Sequence, residues 1–362
     1  MTSFLIIVGL VYVTVAILIY IELKQRRPLP RVQPMERGSI IICGRNEEVN
    51  LPACLASVER QTISPDSLEV ILVDDASTDA TGQLMEDFKA QSRFPVTVLH
   101  MPPLKDGERG GKWRPLKEGI KLARHDALLL TDADAELAPT WSVRHLEELE
   151  RVDVSAGIAL IQGDSIWRKI QHLDWLFVLG VGSSLAHWGM PQAALGKNLS
   201  VRRTAYDAVG GLEGVGFSLT EDRALVQALV DHGSKVVFPL MPDIAVKARG
   251  EAAWRDYVQQ RKRWASGIWA LKPPGKLCIL MMGIRNIGII VGLFMGLMPA
   301  LWVWIATALA NFIVLSRIAK LMKLESSLYF YPFWELFYTW TPALLAIQMQ
   351  FIRKVVWKGH KF

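Results

Sequence analysis

A chain of 362 residues, 51% of them hydrophobic and 13 of them tryptophan, is too apolar for an ordinary soluble enzyme and long enough for roughly two to three domains. Its formal charge of +6 comes without any nucleic-acid module, which excludes nucleic acid as a partner and assigns the basic excess to membrane flanks facing anionic lipid. Three scattered cysteines, Cys43, Cys54 and Cys278, exclude a disulfide scaffold and suit a reducing compartment.

The first element is an uncharged stretch from Phe4 to Ile21. About 20 apolar residues cross a bilayer as a helix. No charge precedes it, and Lys24, Arg26, Arg27 and Arg31 follow it. Positive flanks stay cytoplasmic, so the N-terminus is expected outside and the domain that follows inside. The stretch lacks a basic n-region and an A-x-A-like site, which argues against a cleaved signal peptide. Residues 1–23 are therefore read as an anchor in the inner or plasma membrane. Residues 24–38, rich in proline and arginine, are read as a tether.

A middle domain of globular composition runs over 39–270. SIIIC (39–43) reads as a buried strand, and the spacing of Leu51, Cys54, Leu55 and Val58 predicts a helix over 47–61. A strand over 69–75, a helix over 81–91, a strand over 96–100, a helix over 111–124 and a strand over 127–134 follow. Such alternation predicts an α/β fold with a mostly parallel sheet. Ligands of these sheets bind outside the carboxyl ends of the strands. Two strands end in acid, VDD and TDAD, which puts Asp74, Asp75, Asp132 and Asp134 on one rim.

Farther on, residues 166–190 are aromatic-rich and poorly charged, which suits an interfacial helix or a buried one. Residues 271–362 form a C-terminal membrane region of two or three apolar segments. The run 278–317 is too long for one span and is expected to break near Met298-Pro299; 328–351 carries Glu335 and two prolines.

The chemistry-bearing runs each allow two readings. Asp132 and Asp134 sit on alternate residues where a strand gives way to a loop, so both can turn toward one Mg²⁺ or Mn²⁺. A solvated turn would use the same residues, but alignment with the VDD rim favours the metal. Asp75 can hold a base or ribose, while Ser77 to Asp79 cap the next helix. CGRNEE stands where a dinucleotide site would have G-x-G-x-x-G, and no P-loop is present. Gly110, Gly111 and Lys112 at a helix start suit a phosphate or a flexible entry. Glu221 and Asp222 offer a base, or simply acids at a helix N-terminus capped by Thr220. QQRKRW (259–264) joins cations to an aromatic wall, or forms a juxtamembrane basic patch.

Taken in order, SIIICGRNEE, VDDASTD, GGKWRPLKEG, TDAD, GKNLSVRRTAYDAVGG, LTEDRAL and QQRKRW resemble the inverting, GT-A-fold glycosyltransferase family 2. The similarity is to its membrane-integrated branch, with the cellulose and hyaluronan synthases and the ceramide and hopanoid glucosyltransferases. It implies a Rossmann-like, nucleotide-sugar-binding GT-A domain between N-terminal and C-terminal transmembrane helices. By resemblance, Asp75 holds the uracil or ribose of the donor, Lys112 is a donor contact, and Asp132 and Asp134 reach the metal-bound diphosphate. Asp222 is the general base. Gln260, Arg263 and Trp264 match Q-x-x-R-W, beside the diphosphate and acceptor. Glu221 and Asn198, in the matching T-E-D and G-K-N runs, are acceptor-side candidates. Arg45 departs from the family, standing where an aromatic is common, which puts the contacts of Asn46 and Glu47 in question.

Sugar transfer needs a base on the acceptor hydroxyl, cations on the departing diphosphate and both substrates held in line. Asp222 can supply the first; Asp132, Asp134 and an ion, with Lys112, Arg261 or Arg263, the second. A catalytic domain tied to the bilayer favours a lipid acceptor. The alternatives are a polysaccharide synthase subunit or a non-catalytic nucleotide-sugar-binding membrane protein.

Overall fold

A computed structural model describes residues 1–26, 31–105, 110–191, 196–218, 220–266 and 272–351, with 356–357 and 360–361. Arg109 of the R-G-G-K-W run, Leu219 before T-E-D, and residues 27–30 of the expected tether lie outside the described residues.

The chain opens with α1 (Thr2–Gln25), followed by β1 (Gly38–Gly44), α2 (Leu51–Glu59), β2 (Leu68–Asp74), α3 (Thr81–Gln91) and β3 (Val96–His100). Next come α4 (Trp113–Leu122), β4 (Ala127–Asp132), β5 (Ala135–Leu137), α5 (Trp141–Leu149), β6 (Val154–Ala156), β7 (Ala159–Gln162) and α6 (Ile166–His187). Then β8 (Leu199–Arg202), α7 (Arg203–Ala208), α8 (Gly211–Val215), α9 (Glu221–Asp231), β9 (Val236–Val237), β10 (Val246–Arg249) and α10 (Trp254–Ser266) follow. The last helices are α11 (Pro273–Phe294), α12 (Met298–Met322) and α13 (Tyr331–Phe351).

These elements gather into two compact units. The α/β unit holds Leu29–Leu160 and Ala193–Arg249, with Val356–Phe362; the helical unit holds Met1–Pro28, Ile161–Gln192 and Gly250–Val355. So α6 and α10, both inside the stretch 39–270, cluster with the apolar helices. Their composition explains it: Leu173 and Leu176 of α6 are fully buried, and Trp167 packs against Trp254, Tyr257 and Phe337. Much of α6 is buried, while Ile166, Val178 and Trp188 stay exposed.

In the α/β unit, seven strands form one sheet in the order β3-β2-β1-β4-β8-β6-β9. The first four are parallel, and β8 inserts antiparallel between β4 and β6. Ile40, Ile41 and Ile42 are completely buried, as continuous apolar strands in a sheet covered on both faces must be. Helix α4 lies close over this sheet because Gly119 has no Cβ; one there would meet Ile41 and Val73 at 2.8 and 2.9 Å. Strand order reverses between β1 and β4, and register sets Gly44 opposite Asp74 and Cys43 opposite Asp132. The acids thus reach one rim, at the crevice where open α/β sheets bind ligands.

Two loops at that rim brace each other. The Asn46 carboxamide oxygen accepts from the Thr78 N–H (2.8 Å), and Asn46 N–H donates to the Ser77 hydroxyl (3.0 Å). A second pair joins them: the Asp79 carboxylate accepts from Glu48 N–H and the Glu48 carboxylate from Ala80 N–H, at 3.1 Å each. Glu47 N–H donates to the Thr81 hydroxyl. The cap expected at Ser77 to Asp79 falls on Ala80, which has no capping side chain; Asp79, one residue earlier, accepts from Thr81 N–H. Both loops turn through left-handed backbone, at Asn46 (φ 54°) and Ala76 (φ 54°). Asparagine tolerates that region, alanine poorly.

In the helical unit, α1, α11 and α12 are long and apolar enough to cross a membrane. The run 278–317 breaks at Met295 to Leu297, where Gly296 takes φ 69° and Pro299 enters the first turn of α12. Helix α1 packs against its neighbours through small residues, Gly9 facing Val303 and Gly292 facing Leu5 and Ala300. Glu335 is resolved chemically by a partner: Arg285, fully buried, pairs with it at 2.6 Å. The rest of the guanidinium donates to Thr307, Asn286 and Thr339. The other Glu335 oxygen accepts from Asn311, which in turn accepts from the Tyr12 hydroxyl of α1. A lone charge at that depth would be prohibitive; a saturated network ties four helices together.

Two outcomes follow from these packings. Ala76→Gly removes a strained Cβ and is expected to stabilise the protein by up to about 1 kcal/mol, offset in part by chain entropy; a lowered melting temperature would contradict it. Glu335→Leu strands the Arg285 charge and is expected to cost about 3–5 kcal/mol, with most of it recovered in the Arg285→Met/Glu335→Leu double variant. Thermal unfolding in detergent reads both, and a single variant as stable as wild type would refute the pairing.

Candidate active site

The rim of the α/β unit assembles from strand ends and one return strand. Strand β4 stops at Asp132, and the turn through Asp134 leads straight into β5. Asp132 and Asp134 keep 28% and 30% of their side chains exposed. Lys112, at the entry to α4, brings its ammonium onto Asp132 and within 3.4 Å of the Gly196 carbonyl. Lys197, preceding β8, reaches Asp134 at 3.2 Å and Asp132 at 3.8 Å. Burial works against both ammonium charges, but Asp132 for Lys112 and Asp134 for Lys197 outweigh it and raise both pKa values, so both lysines stay charged.

Asp222 comes to this group through the same glycine. Gly196 N–H donates to its carboxylate at 2.6 Å, while the other oxygen accepts from Arg223 N–H. A Cβ on Gly196 would press on Asp222 at 3.1–3.2 Å. Thr220 occupies the N-cap position of α9, but its side chain makes no cap hydrogen bond, and Glu221 and Asp222 fill the first turn. Burial and then the Asp222 charge push the Glu221 carboxyl up to about 8. Burial likewise pushes the Cys43 thiol up to about 12, keeping it neutral beside the acids.

Asp75 is nearly buried at the end of β2, with Arg45 and Arg114 guanidinium groups 3.8 and 3.9 Å from its carboxylate. Arg45 therefore replaces the family's aromatic with a charge partner for Asp75, and Asn46 and Glu47 serve the loop brace. Trp113 is fixed by donation to the Leu212 carbonyl, edge-on to Phe217.

Asn198 differs from the acceptor-side expectation. It is fully buried; its oxygen accepts from Trp141 and bonds His145 Nε2 (2.9 Å each), and its nitrogen donates to the Ile158 and Ile244 carbonyls (2.8 Å each). Every polar group of the carboxamide is engaged, so it is a staple of the core rather than a ligand contact.

On α10, within the helical unit, Gln260 donates to Glu251 at 2.7 Å, and Trp264 packs edge-on to Trp175. Arg261 is sandwiched 4.6 Å from both the Tyr257 and Trp264 rings and paired with Asp174. That holds α10 to α6. Sequence reasoning missed Gly196 and Lys197. Their signal was the G-K-N run entering a buried strand that pairs with the strand of TDAD, where Thr131 bonds the Lys197 carbonyl.

Two carboxylates open on one side fit a Mg²⁺ or Mn²⁺ ion, which commonly takes one or two protein carboxylates and completes its shell with phosphate and water. Among the described residues no group of three or more His, Cys, Asp or Glu gathers that could hold a metal, so the remaining ligands would come from the donor.

The chain matches the sequence model of Glycosyl transferase family 2 over residues 39–210 and that of Glycosyl transferase family group 2 over residues 128–351. It is 24% identical over 250 residues to the Probable glycosyltransferase YdaM of Bacillus subtilis, covering 67% of this chain and 56% of that one. It is 24% identical over 299 residues to the poly-beta-1,6-N-acetyl-D-glucosamine synthase of Staphylococcus epidermidis, covering 78% of this chain and 66% of that one. It thus spans less than two thirds of the length of these curated relatives. Among solved structures, the mannosyltransferase PcManGT from Pyrobaculum calidifontis, in complex with GDP-Man and Mn²⁺, superposes with a TM-score of 0.58 at 17% identity, covering 96% of this chain and 98% of that one. The fold is accordingly mixed α/β and GT-A-like, and, with the second family match alone covering more than half of its residues, the chain belongs to Glycosyl transferase family group 2 and is a transferase.

Proposed function

We propose that this transferase moves a sugar from a nucleotide-sugar donor, read as UDP-linked, to a hydroxyl of a membrane lipid, in a single displacement that inverts the anomeric centre. The observation that carries it is the double use of Gly196, whose N–H holds Asp222 at 2.6 Å and whose carbonyl meets the lysine that grips Asp132. One backbone residue thereby spaces a base from the cationic end of the site.

In this reading Asp222 accepts the acceptor's proton as the hydroxyl oxygen attacks the anomeric carbon. The bond to the diphosphate breaks, and its electron pair leaves with the diphosphate toward Lys112. Burial and the Asp222 charge push the Glu221 carboxyl upward, which favours its neutral form beside the departing group. Asp75, backed by Arg45 and Arg114, orients the base or ribose. Gln260, Arg263 and Trp264 serve the diphosphate and the acceptor. A divalent ion held by Asp132 and Asp134 would supply Lewis acidity to the leaving group. The cations after α1 argue for a cytoplasmic catalytic unit.

Three helices able to span a membrane support an acceptor that lives in the bilayer. The similarity to a polymer-making synthase of Staphylococcus epidermidis favours a second reading, a polysaccharide synthase. Against it, Arg285, Asn286, Thr307, Asn311, Glu335 and Thr339 of α11, α12 and α13 bond one another, and a sugar conduit would need such groups for its cargo.

Label from a radioactive donor should enter the organic phase of a chloroform–methanol extraction; label in ethanol-insoluble polymer would favour the second reading. Asp222→Asn should lower turnover by about 10²-fold or more while leaving calorimetric donor affinity within a few-fold of wild type. Wild-type turnover in that variant would remove Asp222 as the base.

A further inference from the structure

Four charges meet at the end of β4: Asp132 with Lys112, and Asp134 with Lys197. Lys112 has a reading from the donor. Lys197 has none. Its ammonium bridges both carboxylates, at 3.2 and 3.3 Å to the two oxygens of Asp134 and 3.8 Å to Asp132. Only 15% of its side chain is exposed. Its backbone is fixed too, since the carbonyl accepts from Thr131 of the neighbouring strand at 2.9 Å.

Asp134 cannot serve an ammonium and a divalent ion equally. A doubly charged ion between these carboxylates would lie within a few ångströms of Lys197, and like charges at that range repel strongly in a half-buried site. The diphosphate offers the displaced ammonium a new anionic partner. A lysine stem, flexible and ending in a compact charge with three donors, can make that exchange with its backbone unmoved.

We propose that Lys197 is a counter-cation that Asp134 holds when the donor is absent and that passes to the donor's diphosphate when a divalent ion takes the carboxylates. The inference rests on the donor-site reading of the rim and deepens it by adding a second lysine on the leaving-group side. Lys197 therefore opposes metal binding alone and favours nucleoside diphosphate binding, two effects of opposite sign.

The test uses the full chain purified in detergent, with UDP and GDP as probes. Calorimetry measures nucleoside diphosphate affinity, and the free Mn²⁺ signal in electron paramagnetic resonance measures ion affinity without nucleotide. Lys197→Met should bind UDP or GDP about tenfold more weakly, as expected for losing a charge-assisted contact, yet hold Mn²⁺ several-fold more tightly. Lys197→Arg should keep nucleotide affinity closer to wild type. If Lys197→Met leaves both affinities unchanged, or weakens both together, the proposal is overturned; the second result would mark Lys197 as a structural tie. Lys197→Arg guards against a misfolded methionine variant, and the same divergence of sign is sought between the two. A wild-type chain that binds neither UDP nor GDP would overturn the donor-site reading itself, and this inference with it.

Discussion

The rim of the sheet depends on one electrostatic constraint: carboxylates delivered by parallel strands must be neutralised where they are only partly wet. Asp132 and Asp134 cannot stand side by side in a half-buried site without cations. Lys112 and Lys197 provide them, from the start of one helix and the approach to one return strand. The same geometry makes the site useful. On the proposed reading, cations assembled to balance protein carboxylates would also balance a departing diphosphate, and the carboxylates they release would turn to a hard metal ion.

The surrounding structure holds this rim in place. The order β3-β2-β1-β4 opens a crevice between β1 and β4, and the register brings Asp74 and Asp132 to its edge one residue apart along β1. The Asn46–Thr78 and Glu48–Asp79 bonds lock the loops above β1 and β2, so Asp75 sits on a braced platform. Asn198 pins the approach to β8 by tying Trp141, His145 and two carbonyls into the core. The immediately preceding residues, Gly196 and Lys197, inherit that rigidity and deliver a backbone N–H to Asp222. Rigid placement of this kind is what the proposed single displacement requires.

Much of this was legible before any coordinates. Buried apolar strands such as Ile40 to Ile42 and the acids that end β2 and β4 announce a parallel sheet with a charged rim, because strand burial and strand-end chemistry are local properties. The break between α11 and α12 was equally visible as Pro299 in an overlong apolar run. Other features were hidden because they arise between distant segments. The G-K-N run gives no sign that its asparagine turns inward while its lysine faces the acids; that alternation depends on β8 pairing antiparallel with β4. Arg261 reads as a cation for the leaving group until Asp174, 87 residues earlier, is found holding it. Glu335 looks like an obstacle to burial until Arg285 answers it. Composition suggested one middle domain, whereas the aromatic faces of α6 and α10 draw them to the apolar helices.

The most direct test of a transferase that uses this rim for a nucleotide sugar is nucleoside diphosphate release. The detergent-purified chain would be incubated with a panel of UDP- and GDP-sugars, Mn²⁺ and a membrane lipid extract. The account predicts release from one class of donor, dependent on the extract. Release that is indifferent to the extract, or none from any donor despite measurable nucleotide binding, would contradict transfer to a lipid hydroxyl.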